Sequence, residues 1–301
     1  MVNLDASGTY QGSRFSEVRA QLLSDPYTKL PYHKVTIGSM IESGKNLLLR
    51  DSKWLISQRQ DLVPPFQKLL NPVGICLFGR WRMTEENPYT GCFRTGTEHL
   101  IIVRCSNQMT TTDRGTRRGF GFAGKIFPTL DPDEPVKTVN FMLIDNLGGT
   151  FVEHYTDVAL TNQPPLGLNF GMIPFAFVAA NVIQVFNRVD QPANFRPLYP
   201  LSQNGLKPGE TARTPKWLQI TTDPGCGKSD AVDFRDELRL KNYKDGLLRF
   251  IVSVADKEEP KGQRQWRRLG VIEVNEDVCS ASGDQRLRFH HDPNRGHPVP
   301  E

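Results

Sequence analysis

From residue 74 onward, apolar and polar positions fall into short, β-rich runs divided by turn residues. "GICLFGRWRM" (74–83), "LIIVRCS" (100–106), "GFGFAGKIF" (119–127) and "TVNFMLID" (138–145) follow one another, with Gly, Pro, Asp or Asn between them. No helical pattern separates these runs, which predicts an antiparallel sheet or barrel. Strand character resumes in "KWLQITT" (216–222), "LLRFIVSVADK" (247–257), "WRRLGVIEVNE" (266–276) and "RLRFHH" (286–291). Two segments read differently. Ile37, Met40, Ile41, Leu47, Leu48, Trp54 and Leu55 suit an amphipathic helix to about Gln60, weakened by Gly44 and ended by Pro64 and Pro65. Residues 176–188 also look helical. Residues 1–35 are polar and irregular, so they are expected to form an N-terminal arm. No repeat, low-complexity stretch or linker divides residues 36–301. The expected fold class is α+β: one antiparallel β-barrel domain with flanking helices.

Composition narrows the classes. A 301-residue chain with 38% hydrophobic and 23% charged residues can bury a sizeable core. Its formal charge of +4 is too small an excess to argue for nucleic acid. The longest apolar stretch, 171–186, is broken by Pro174, Asn181 and Gln184, so no membrane span is expected. The N-terminal segment has no apolar run of the signal-peptide kind. The five cysteines are scattered and form no CxxC pair, which reads as reduced thiols of a cytoplasmic protein.

Several motifs have bland readings. "DPGCGKSD" (223–230) contains Gly-Lys-Ser, but Thr222 stands where a phosphate loop needs its first glycine, so a surface turn is expected. Gly119, Gly121 and Gly124 match G-x-G-x-x-G, yet Phe120, Phe122, Ile126 and Phe127 make the segment a strand rather than the opening of a helix. Glycines in a strand mark a bulge or a flat ligand lying against the backbone. "HHDPNRGH" (290–297) places His290 and His291 on opposite faces of any strand, which argues against a shared metal. "DRGTRRG" (113–119) and "RQWRRLG" (264–270) are basic, and the ordinary meaning is a solvated face or an anion grip.

Taken in order, the strands resemble the haem catalase superfamily, especially its smaller catalase-related members. "KLLNPVGICLFGRW" is similar to the family's Arg-x-x-His-x-x-Gly-x-x-x-Phe-Gly-x-aromatic strand. "IIVRCS", "RRGFGFAGKIF" and "TVNFMLID" resemble the three strands that follow it, and the chain after "LGVIEVNE" resembles the run towards the proximal side. The resemblance spans about residues 65–150 and 265–301. It implies a haem cofactor and a barrel interior shaped for a flat iron macrocycle.

The resemblance also implies site residues. Arg104 and Lys68 fall at two propionate-binding positions, Gly119 where backbone lies near haem, and Phe141 on the distal side. Asn71 occupies the place of the distal histidine, and Asn140 is the nearest amide to the family's distal asparagine. An amide does not titrate near neutral pH and cannot act as general acid–base, so peroxide chemistry through Asn71 would be impaired. The family's tyrosinate ligand would fall beyond Glu301. Tyr199, with Arg196 three residues earlier, offers similar chemistry in another part of the chain, and the metal ligand is unassigned. Three readings stay open: a weak or impaired oxidoreductase acting on hydrogen peroxide or an organic hydroperoxide, a non-catalytic binding protein on a catalase-like barrel, and a truncated form of an active haem enzyme. The implied partners are a small-molecule peroxide or hydroperoxide and, from the polar arm, further copies of the chain. Nucleic acid and a membrane span are not expected.

Overall fold

The computed structural model describes residues 12–24, 73–107, 120–145, 155, 160–161, 199–227, 229, 231, 234–257, 263–278, 287 and 289. The helical segments expected at 37–60 and 176–188, and the His-rich run at 290–297, lie outside these residues.

Eight strands form a closed antiparallel barrel in sequence order. They are β1 (Val73–Met83), β2 (Glu98–Asn107), β3 (Phe120–Phe127), β4 (Val139–Asp145), β5 (Leu160–Thr161), β6 (Trp217–Thr222), β7 (Leu248–Ala255) and β8 (Arg267–Val278). The barrel closes where β8 returns to β1, with Trp81 opposite Ile272 and Arg82 opposite Val271. A register shift between Phe78 and Gly79 bends β1 at this seam. Gly79 permits the close approach, because a Cβ there would lie 2.1 Å from the Glu273 carbonyl oxygen.

Alternation sorts the strand residues into two faces. Ile75, Leu77, Trp81, Ile101, Val103, Phe122, Phe141, Leu143, Phe250 and Val252 belong to one buried cluster inside the barrel. Cys76, Phe78, Ile102 and Phe127 belong to a second cluster on the outer wall. Helix α1 (Phe15–Leu23) covers that wall with Phe15 and Leu22. Phe15 sits edge-on to Phe78 and Phe127, with centroids 6.0 and 5.4 Å away. Burial on both faces explains why β3 is buried at every position and reads as a nearly continuous apolar run.

The structure departs from the sequence reading in three places. Part of the arm expected at 1–35 is the helix α1, docked by Phe15 and Leu22 and by the paired guanidinium–carboxylate contacts of Arg19 with Glu276 at 2.7 and 2.8 Å. The segment 286–291 was expected to be a strand. Its two described residues, Leu287 and Phe289, lie outside any strand, and Leu287 packs on the outer cluster.

The third departure concerns the interior, which was expected to hold a macrocycle. It is filled by side chains instead. Phe141 stacks on Phe122 at 6.2 Å and lies 5.6 Å from Trp81, while Phe122 meets Phe250 at 5.1 Å. Phe120, Tyr155 and Phe234 close the next layer, with centroids 4.8 to 6.2 Å apart. Gly124 is part of this fit, since a Cβ there would lie 2.2 Å from the Phe141 ring. Among the described residues these inward rings pack against one another as the side chains of a small barrel do.

Two shorter elements bracket the barrel: α2 (Tyr199–Gln203) and α3 (Phe234–Glu237). The Gly-Lys-Ser region forms a turn, as expected. Pro224–Cys226 is a 3₁₀ turn capped by the Asp223 side chain, which accepts from the Gly225 N–H at 2.9 Å. Cys76, Cys92, Cys105 and Cys226 are in no disulfide. Among the described residues no helix is long and apolar enough to cross a membrane.

One half-buried base makes the barrel mouth sensitive to acid. His99 stands opposite Trp81 in the β1–β2 ladder, and its Nδ1 is buried without a hydrogen-bond partner. Burial pushes its pKa down from 6.5 to about 4. The unfolded chain therefore binds this proton more tightly than the fold does. Its contribution is fully present above pH 6.5 and is lost as the pH falls towards 4. His99→Gln is expected to remove on the order of 1–2 kcal/mol of acid destabilisation. The check is urea unfolding of both proteins at pH 7 and at pH 4.5, reading the difference between their two losses.

Candidate functional site

The residues singled out in the sequence divide between the two faces of the wall. Arg104 lies on the outer face of β2, between the inward Val103 and Cys105. Asn140 lies on the outer face of β4, opposite Lys125 of β3 in the ladder. Phe141, expected beside a haem together with these residues, points the other way into the packed interior. Neighbouring residues of a strand face opposite sides, so 140 and 141 cannot line one site. Lys68, Asn71 and Gly119 lie outside the described residues.

The register shows what surrounds Arg104 and Asn140. One row across the outer wall runs Cys76, Arg104, Ala123, Met142. The next runs Phe78, Ile102, Lys125, Asn140. The row on the other side contains Ser106 and Gly121. Along β3 the outward positions are therefore Gly121, Ala123 and then Lys125. The first two make a lane of small residues that is itself buried within the chain. The cation of Lys125 closes one end, and Arg104 flanks the lane from β2.

These polar residues are deeply buried: Arg104 is 5% exposed, Lys125 2% and Asn140 3%. Lys125 Nζ donates to Thr138 Oγ1 at 3.4 Å, and Ser106 Oγ donates to the Gly121 carbonyl at 3.2 Å. Asn140 Oδ1 is buried and accepts no hydrogen bond. An orphaned acceptor costs about 1–3 kcal/mol, and such a cost in a native fold calls for a reason such as a ligand group that donates to it.

Chemically, the wall carries two buried cations and one amide acceptor beside a lane of small residues edged by Met142 and Cys76. Among the described residues no group of three His, Cys, Asp or Glu side chains could hold a metal ion. Tyr199, considered as an iron ligand, begins α2, which packs against β4 and against the 3₁₀ turn Gly91–Phe93.

Lys125 and Ser106 were not picked out from the sequence. The signal for Lys125 was available: it is the one charged residue of "FGFAGKIF" and shares the parity of Gly121 and Ala123. Another buried polar group was missed at one end of the barrel. The Glu237 carboxylate is fully buried and accepts from the Tyr155 N–H at 2.8 Å. The Tyr243 hydroxyl, held protonated first by burial and then by the Glu237 charge, has no hydrogen-bond partner.

No family model and no curated protein matches the chain. Among solved structures it is similar to a bacterial catalase, with a TM-score of 0.34 and 13% identity over 91% of this chain and 57% of that one. It is also similar to a fungal catalase, with a TM-score of 0.37 and 13% identity over 91% of this chain and 59% of that one. The chain spans less than three fifths of the length of either catalase. Likeness at this level concerns the path of the chain and assigns neither a cofactor nor a reaction.

Proposed function

We propose that the chain binds haem, or a closely similar flat macrocycle bearing carboxylates, on the outer wall of β2–β4, and that it turns over hydrogen peroxide or an organic hydroperoxide weakly. The observation that supports this reading is the pair of buried cations Arg104 and Lys125 beside the small residues Gly121 and Ala123 on one wall; haem itself carries no donor for the buried Asn140 Oδ1, which would instead accept from the O–H of a peroxide or hydroperoxide. The macrocycle would lie along Gly121 and Ala123 with its carboxylates towards Arg104 and Lys125. Arginine suits this role because its planar fork matches a carboxylate, while lysine supplies a point charge. When bound, haem iron would supply the redox chemistry.

The chain's own part would be to bind and orient the ring, and to exclude water from the wall. Asn71, which precedes β1, can donate and accept hydrogen bonds but cannot move a proton, so turnover is expected to be poor. The test is a titration of purified chain with haem, followed by its visible absorption. A saturable Soret band is expected, and Asn71→His in the loaded protein is expected to raise peroxide turnover at least tenfold, since general acid–base groups contribute roughly 10²–10⁴-fold. No band would end the proposal. A band without any gain from Asn71→His would favour a binding protein without turnover.

A further inference from the structure

Arginines on most of the barrel wall have carboxylate partners. Arg80 pairs with Glu98 at 2.7 Å, Arg82 with Glu273 at 2.8 Å, and Arg239 with Asp277 at 2.5 Å. One end of the barrel differs. There, at the starts of β6 and β8 and in the segment before β6, Arg213, Lys216, Arg267 and Arg268 are exposed and make no ion pair among the described residues. Arg213, Lys216 and Arg267 lie on one connected strip, while Arg268, next to Arg267 in β8, faces the other side of the strand. The Arg213 N–H donates to Thr90 Oγ1 at 3.0 Å, beside Tyr89. Arg267 sits over the Tyr89 ring, its guanidinium carbon 5.6 Å from the centroid. The Tyr89 hydroxyl donates to Asp256, whose other oxygen accepts the Lys216 N–H at 3.1 Å. Lys216 Nζ and the Arg264 guanidinium lie 5.8 and 4.8 Å from the half-exposed Trp217 ring.

The strip thus alternates aromatic rings and cations, and both oxygens of Asp256 are already engaged within it. Beside it, an open depression of about 470 Å³ is lined by Asn87, Tyr89, Thr90, Arg94 and Arg213, among others. An acidic peptide would use the charges and leave the rings idle. A membrane surface would need protruding apolar side chains, and the exposed large ones among the described residues, Leu23, Leu130 and Leu247, belong to other segments. Phosphates spaced along a chain of stacking bases use both features.

We propose that this barrel end binds single-stranded nucleic acid, with phosphates held by Arg213, Lys216 and Arg267 and a base stacked against Trp217 and Arg264. The net charge of the whole chain conceals the site, because acids elsewhere on the wall cancel it. The surface is separate from the Arg104–Lys125 wall and does not depend on haem.

The test uses the full chain with a fluorescein-labelled 15-nucleotide oligo(U), followed by anisotropy. Binding in 50 mM salt is expected to weaken roughly twenty-fold by 200 mM if about three phosphates are neutralised. Tryptophan emission should fall on binding. Arg213→Ala combined with Arg267→Ala should weaken binding about tenfold and flatten the salt dependence, with thermal unfolding unchanged. Trp217→Leu should weaken it about five- to tenfold and remove most of the emission change. The proposal is overturned by no binding at 50 mM salt, or by parent-like binding in the Arg213/Arg267 variant. Displacement by poly-glutamate as readily as by unlabelled oligo(U), or inorganic polyphosphate binding as tightly as the oligonucleotide with no change in emission, would overturn it equally.

Discussion

Phe141→Ala is expected to destabilise the fold by about 3–5 kcal/mol while leaving haem affinity of the folded protein within about twofold of the parent. The ring is fully buried between Phe122 and Trp81 and fills the space that Gly124 leaves open. Removing it opens a cavity that the stiff strands of a closed barrel cannot collapse. A urea unfolding midpoint gives the stability loss, and a haem titration below the transition gives the affinity. A small stability loss with a large loss of haem would place Phe141 at the ligand and contradict the packing described above.

The second large effect is the converse. Arg104→Leu is expected to weaken haem binding by about 10- to 100-fold, the size of one lost charge-assisted hydrogen bond of roughly 1.5–3 kcal/mol. Arg104→Lys should recover part of this, since charge returns without the fork. Lys125→Met should act in the same direction as Arg104→Leu, because the two cations flank one lane. The measurement is the midpoint of the Soret titration, normalised to folded protein. Parent-like affinity in both variants would remove the outer wall from consideration.

The barrel was legible in the sequence because its longer strands have strong local signatures. Runs such as 100–106 and 247–257 carry β-branched and aromatic residues between clear turn residues, and each became a strand within a residue or two of the expected bounds. Two elements left little local trace. The strand β5 comprises only Leu160 and Thr161 and exists because β4 and β6 need a connection across the last gap. Helix α1 buries only Phe15 and Leu22, so its apolar face is too sparse to stand out from polar chain, and docking against Phe78 and Phe127 stabilises it.

The site was legible in part. Arg104 and Asn140 do share a wall, and alternation alone would have added Lys125 to them. The same rule would have separated Phe141 from Asn140, but reasoning by family position grouped the two despite it. What periodicity could not show is that the outer wall is covered as well as the interior, since this depends on contacts between α1 and strands far away in sequence.

Methionine-methyl NMR tests most directly which side of the barrel wall a macrocycle would occupy. Met142 lies on the outer wall in the row of Arg104 and Ala123, while Met83 is packed with the interior cluster. On adding ferric haem to methyl-labelled protein, the Met142 ε-methyl signal is expected to shift or broaden strongly while that of Met83 stays in place. Perturbation of Met83 with Met142 unchanged, or no change at either, would contradict an outer-wall site.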